Sequence, residues 1–238
     1  MPHQVQPVRP FLGSSVPVVG KAELATSGFT EAHLAGVRHV PWRLPSSLPV
    51  EVRQLITAGE PFVFAYYDGI DKIAHEHGLD AHYDAELVAA DRMVGDILAT
   101  LPDDVVLLVT ADHGQVEVPE TIALAPEAVR SSRLLSGEGR FRWLHARPGA
   151  AADVLAAARA AHADRAWVVS AEQVVDEAWL GPRMSDQVRT RLGDVAVVAR
   201  DAVSFDDPAD TGAIRLICRH GSLTAAEVRV PLVGARGA

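Results

Sequence analysis

The chain has 238 residues, of which 48% are hydrophobic, and it carries a formal charge of −9. That length can bury a full core, and acidic and basic residues are scattered instead of blocked, which excludes a phosphate-backbone footprint for nucleic acid. The lone cysteine, Cys218, excludes an internal disulfide and a thiolate cluster, so any metal must be held by His, Asp or Glu.

Residues 1–11 hold Pro2, Pro7 and Pro10 with no apolar run. No segment reaches the roughly 18 apolar residues of a membrane span. The residues carry no export signal, which makes the chain soluble and the cytoplasm its default compartment, although a longer parent could carry a signal of its own. Residues 16–19 form a short β-branched run interrupted by Pro17. Ser27-Gly28 and Thr30 then predict a loop and a helix start with Thr30 as N-cap. Residues 41–49, rich in proline, read as a connection.

Residues 61–67 (PFVFAYY) and 105–110 (VVLLVT) are continuous apolar runs of strand length and predict strands buried on both faces. Between them, Leu87, Ala90, Val94, Ile97, Leu98 and Leu101 follow the spacing of a helix packed on a sheet, over residues 83–101. Strand, helix, strand predicts a parallel crossover. In such sheets ligands gather at the carboxyl ends of strands. The polar stretches 68–75 and 112–114, which follow these runs directly, should then lie side by side.

Beyond Pro119 the pattern changes. Residues 141–146 and 167–170 suggest strands, 150–163 an alanine-rich helix and 171–178 a second helix, which together resemble a small α+β insertion at 119–199. Residues 194–200 (DVAVVAR) and 214–218 (IRLIC) read as strands, the second ending at His220-Gly221.

Three polar clusters therefore follow strand ends. Asp71 and His75 are four apart and share one face if the segment is helical, a common metal half-site. Asp112-His113-Gly114 supplies a carboxylate and an imidazole beside a glycine that permits close backbone approach. His220-Gly221-Ser222 repeats the arrangement. Five oxygen and nitrogen donors from three strand ends suit two borderline cations such as Zn²⁺. Asp68 stands close enough in sequence to support Asp71 by a hydrogen bond. His77 and His82 read as surface residues, His145 as a strand residue, Cys218 as a small buried hydrophobe, and Trp143, Trp167 and Trp179 as core.

The stretch YYDGIDKIAHEHG (66–78), the box TADHG (110–114) and the tail HGSLTAAEVRVPL (220–232) resemble the type I phosphodiesterase/nucleotide pyrophosphatase branch of the alkaline phosphatase superfamily. The resemblance runs from about Pro10 to the end. It implies an alkaline-phosphatase-like α/β fold, a mainly parallel sheet with flanking helices, in which 10–118 and 200–238 form the metal-bearing core around the insertion. It also implies a two-zinc hydrolase of phosphodiester or pyrophosphate bonds, acting on a phosphodiester or nucleotide small molecule. Asp71, His75 and His220 would ligate one metal, a nearly complete position, and Asp112 and His113 the other. The family's first strand, its aspartate ligand and its Thr or Ser nucleophile have no counterpart here, so no catalytic nucleophile is assigned. The chain resembles the C-terminal part of a longer protein, with the N-terminal part of the sheet absent and an exposed sheet open to self-association. The alternative from another class is a non-catalytic metal-binding or partner-binding remnant. A mutase or sulfatase of the superfamily fits the HGSLT tail less well.

Overall fold

The computed structural model describes residues 6–210 and 216–237. The strands, in chain order, are β1 (Pro17–Lys21), β2 (Arg38–Trp42), β3 (Phe64–Ala65), β4 (Val106–Thr110), β5 (Val116–Glu117), β6 (Glu120–Ala123), β7 (Ser132–Glu138), β8 (Phe141–Ala146), β9 (Ala166–Ser170), β10 (Val195–Ala199), β11 (Val203–Asp206), β12 (Cys218–Arg219) and β13 (Leu232–Arg236). The chain divides into two compact units, one of Met1–Ile73, Asp80–Val109 and Leu232–Ala238, the other of Ala74–Leu79 and Thr110–Pro231. Among the described residues no helix is long and apolar enough to cross a membrane.

In the first unit β1 lies between β2 and β3, parallel to both. Helix α1 (Gly28–His33) is capped by Ser27, whose side chain accepts from the Thr30 amide; Thr30 itself is inside the helix, which corrects the expected cap by three residues. Helix α2 (Leu48–Thr57) takes the last two residues of the expected connection, whose first two belong to the end of β2. Pro49 sits in its first turn, where a missing N–H costs nothing because that amide has no intrahelical partner. Leu48 and Val52, one turn apart, bury their side chains with Val19, Trp42, Ile97 and Leu101. Ile97 comes from the long helix spanning Ala81–Leu98, which begins at the Asp80 cap.

Two strand expectations need correction. The 61–67 run keeps only Phe64 and Ala65 in a ladder, with β1 as partner. Residues 105–110 alternate: Val105 and Leu107 pack on the core while Val106 and Leu108 are 52% and 64% exposed. An apolar run does not by itself reveal whether both faces are covered. The ladder partner of β4 is β13, and β3 belongs to the other sheet, so the two expected crossover strands are not ladder neighbours among the described residues.

The second unit is built on the antiparallel sheet β7-β8-β10-β9, with β11 paired to β6 and β12 to β5 in small separate ladders. Strand β10 (VAVVA) is buried on both faces because both carry cover: Val195, Val197 and Ala199 join Leu144, Val154, Ala158 and Phe205, while Ala196 and Val198 join Val169 and Val174. The expected helices at 150–163 and 171–178 appear as Ala151–His162 and Ala171–Asp176. Trp143, Trp167 and Trp179 pack against the second of these clusters. The expected strand at 214–218 is described only at its end, as β12, since 211–215 lie outside the described residues.

This unit also buries an ion pair, Arg140–Glu227, with both side chains 1% exposed. Burial opposes ionisation of Glu227, but hydrogen bonds from Arg140, Thr224 and the Ser222 amide outweigh it and hold the carboxyl below its ordinary 4.5. A depressed folded-state pKa stabilises the fold above the unfolded value and loses that contribution as pH falls through the folded one. Acid titration of stability should therefore show a decline below pH 4.5 that flattens when Arg140→Met and Glu227→Leu are combined; an unchanged acid limb would contradict the assignment. In denaturant unfolding, Leu144→Ala, at a fully buried position of β8, should cost about 2–5 kcal/mol. Leu108→Ala should stay within about 0.5 kcal/mol, and equal losses would refute the burial pattern.

Candidate metal centre

Helix α3 (Gly69–His77) carries Asp71 in its first turn and His75 in its last. Four residues make roughly one helical turn, so the carboxylate and the imidazole project from the same face. The helix ends at Gly78, whose φ of +81° an L side chain rarely adopts; a Cβ there would also lie 2.8 Å from Glu117 Oε1 and 3.1 Å from Ile217 Cγ2. That glycine lets the strand pair β5–β12 come against the end of the helix. The contact is reciprocal: the Ile217 amide donates to the His75 carbonyl at 2.8 Å, and His75 Nδ1 meets the Cys218 carbonyl at 2.7 Å. The strand that so engages His75 continues into His220.

Asp71, His75 and His220 each offer one ligand atom, and these atoms lie within 4.8 Å of one another. All three residues are partly exposed. A carbonyl oxygen only accepts, so the 2.7 Å contact requires a proton on His75 Nδ1. The ring's other nitrogen, Nε2, then carries the lone pair, which is how metal-binding histidines are commonly prepared. The donor set and the prepared tautomer fit a divalent cation.

His113 is prepared in the same way. Its Nδ1 lies 3.0 Å from the Gly114 carbonyl and its Nε2 3.7 Å from Asp112 Oδ1. The His113 ring stacks on His220, centroids 3.5 Å apart at 12°, and the His75 ring lies 5.3 Å from His220. The box and the tail loop are thus brought together. Gly114 is needed for a specific reason, since a Cβ there would collide with the Ala226 carbonyl as the short helix Ala225–Val228 passes over it. Asp112 is 67% exposed on its side chain, the least enclosed of the candidate ligands.

Asp68, expected to support Asp71, is engaged by two lysines: Lys21 Nζ and Lys72 Nζ each stand 3.2 Å from Oδ2. Neighbouring Tyr67 donates its hydroxyl to Glu86, and burial with that carboxylate raises its pKa. His77 and His82 are exposed, and His82 pairs with Asp80. Buried His145 on β8 bonds Ser136, and burial lowers its pKa. Cys218 is fully buried, which pushes its thiol up to about 11.

Two residues beside the centre, Thr224 and Glu227, carry a readable local signal. Thr224-Ala225-Ala226-Glu227 matches the Thr-x-x-Glu capping pattern of a helix start. The structure places Glu227 at the centre of a hydrogen-bond hub, with its carboxylate on Arg140, Ser222 and Thr224. Arg140 itself carried no local sign, because its partner lies 87 residues away.

Residues 44–223 match the family model for type I phosphodiesterase/nucleotide pyrophosphatase. Solved structures with the same fold include murine ectonucleotide pyrophosphatase/phosphodiesterase 5, at 17% identity and a TM-score of 0.69, over 94% of this chain and 61% of that one. An inactive variant of that murine protein, in complex with AMP, matches at 17% identity and a TM-score of 0.63, over 92% of this chain and 60% of that one. Phosphonoacetate hydrolase from Sinorhizobium meliloti 1021, in complex with phosphonoformate, matches at 16% identity and a TM-score of 0.67, over 95% and 66%. No curated protein matches the sequence. The chain thus spans about three fifths of the murine protein's length. With an alkaline-phosphatase-like α/β fold and a family match over most of its length, the chain belongs to the type I phosphodiesterase/nucleotide pyrophosphatase family.

Proposed function

We propose that this chain carries the metal-binding part of a zinc-dependent hydrolase of phosphodiester or pyrophosphate bonds, acting on a nucleotide or a similar small diester. The observation that carries the reading is the group Asp71, His75 and His220, three ligand atoms within 4.8 Å of one another, with His75 held in the tautomer that presents Nε2. Asp71, His75 and His220 would hold one cation, and Asp112 with His113 would contribute to a second. Zinc bound at such a pair of positions supplies Lewis-acid stabilisation of phosphoryl charge and a water of lowered pKa.

The protein's own part is positional. The Cys218 carbonyl fixes His75, the Gly114 carbonyl fixes His113, and partial exposure of the three ligands leaves the centre accessible to a small anionic substrate. The AMP complex of the inactive murine variant supports a nucleoside monophosphate as one ligand class. The attacking hydroxyl of the family is assigned to no residue of this sequence, and we read the chain as part of a longer catalytic unit. Residues 119–199 are read as an insertion in the metal-bearing core. The exposed apolar residues Val106, Leu108, Leu232 and Val233 support self-association through β4 and β13.

A second reading, a metal-binding or partner-binding remnant without turnover, is favoured by one observation. The second position has two protein donors, and Asp112 is largely exposed, so a cation there is weakly held.

Elemental analysis of purified protein should find close to one zinc per chain, lost in His220→Ala. Unchanged stoichiometry in that variant would remove the assignment. Assayed with a chromogenic phosphodiester, a longer chain that contains these residues should hydrolyse it in a manner abolished by chelation and by His75→Ala. Full metal occupancy with no hydrolysis by any longer chain would favour the remnant.

A further inference from the structure

The residues that hold the His220 loop in place are not ligands, and they converge on one buried carboxylate. Glu227 Oε1 accepts from Arg140 Nε at 2.9 Å and from the Ser222 amide at 3.0 Å. Its Oε2 accepts from Arg140 Nη2 at 2.6 Å and from the Thr224 hydroxyl at 2.5 Å. Ser222 and Thr224 follow His220 by two and four residues, so both anchors fall on the loop that presents the imidazole. The same residue's backbone carbonyl accepts the Gly114 amide at 2.8 Å, next to His113. The rest of the Arg140 fork is committed as well, Nη1 donating to the Asp201 and Val203 carbonyls at 2.5 and 2.7 Å. Ser222 adds a hydrogen bond from its hydroxyl to the Ala199 carbonyl at the end of β10.

A buried ion pair is weak evidence for stability, since apolar residues of similar volume often serve the fold as well or better. What they cannot supply is a carboxylate with two oxygens directed at a loop amide and a loop hydroxyl. We propose that the Arg140–Glu227 pair is a positioning device for the metal centre. Through one residue it sets the His220 loop relative to the His113 box, and so sets the stacked geometry of the two imidazoles. Arg140 and Glu227 act through His220 and His113, and neither is a ligand. The proposal rests on the reading of these histidines as zinc ligands.

The test separates the two claims. Zinc affinity is measured by competition with a chromophoric chelator, and site geometry by the visible absorption of the Co²⁺ form, in wild type, in the double variant Arg140→Met/Glu227→Leu and in Thr224→Val. The double variant should keep its far-ultraviolet circular dichroism and melt cooperatively, yet bind zinc about 10–100-fold more weakly with an altered cobalt spectrum. Thr224→Val, which leaves the charges paired, should show a smaller loss in the same direction. Wild-type affinity and spectrum in both variants would overturn the proposal and leave the zinc reading intact. No metal uptake by wild type would overturn both. Hydrogen exchange of wild type needs no variant to fold: added zinc should slow the Ser222 and Gly114 amides together, and protection of neither, with metal bound, would overturn the proposal.

Discussion

The candidate site depends on two hydrogen bonds, one from a backbone amide and one from an imidazole ring, between the end of a helix and the short segment that leads to His220. His75 receives the Ile217 amide at its carbonyl and gives its ring Nδ1 proton to the Cys218 carbonyl. The first bond aligns the strand that leads to His220, and the second chooses the tautomer of the ring. Gly78 makes the approach feasible by turning the chain where an L side chain would be strained and would press on Glu117 and Ile217.

Around this contact the second unit supplies rigidity. Strand β10 is fully buried, and Arg140 at the mouth of β8 reaches from the sheet to Glu227. The loops bearing His113 and His220 are thereby tied to a packed core, and loops tied in that way can hold ligands at fixed separations. The nearly parallel stacking of His113 on His220 is the visible result.

The local spacing of the candidate ligands was more legible in the sequence than the order of the strands. Asp71 and His75 could be paired because helical spacing is local, and the Asp-His-Gly box and His220 could be recognised because a strand followed by polar ligands and glycine is a local pattern. Sheet order is not local. Residues 61–67 and 105–110 look equally like buried strands, yet one keeps a two-residue ladder with β1 and the other pairs with β13 at the far end of the chain. The start of the helix Leu48–Thr57 was hidden by Pro49, which a helix tolerates in its first turn. Asp68 illustrates the same limit in a side chain: its proximity to Asp71 suggested one partner, but Lys21, 47 residues earlier, supplies another through the fold. Glu227 could have been noticed as a capping residue; that it faces Arg140 could not.

The central claim is that the protein sets the His75 tautomer in advance, so that Nε2 faces a cation shared with Asp71 and His220. It is tested most directly by nitrogen-15 NMR of the histidine side chains, recorded before and after addition of zinc. The account predicts that metal-free His75 is protonated at Nδ1 and that zinc shifts Nε2 of His75 and a ring nitrogen of His220 together. A metal-free His75 protonated at Nε2, or a zinc-saturated protein in which neither ring responds, would contradict it.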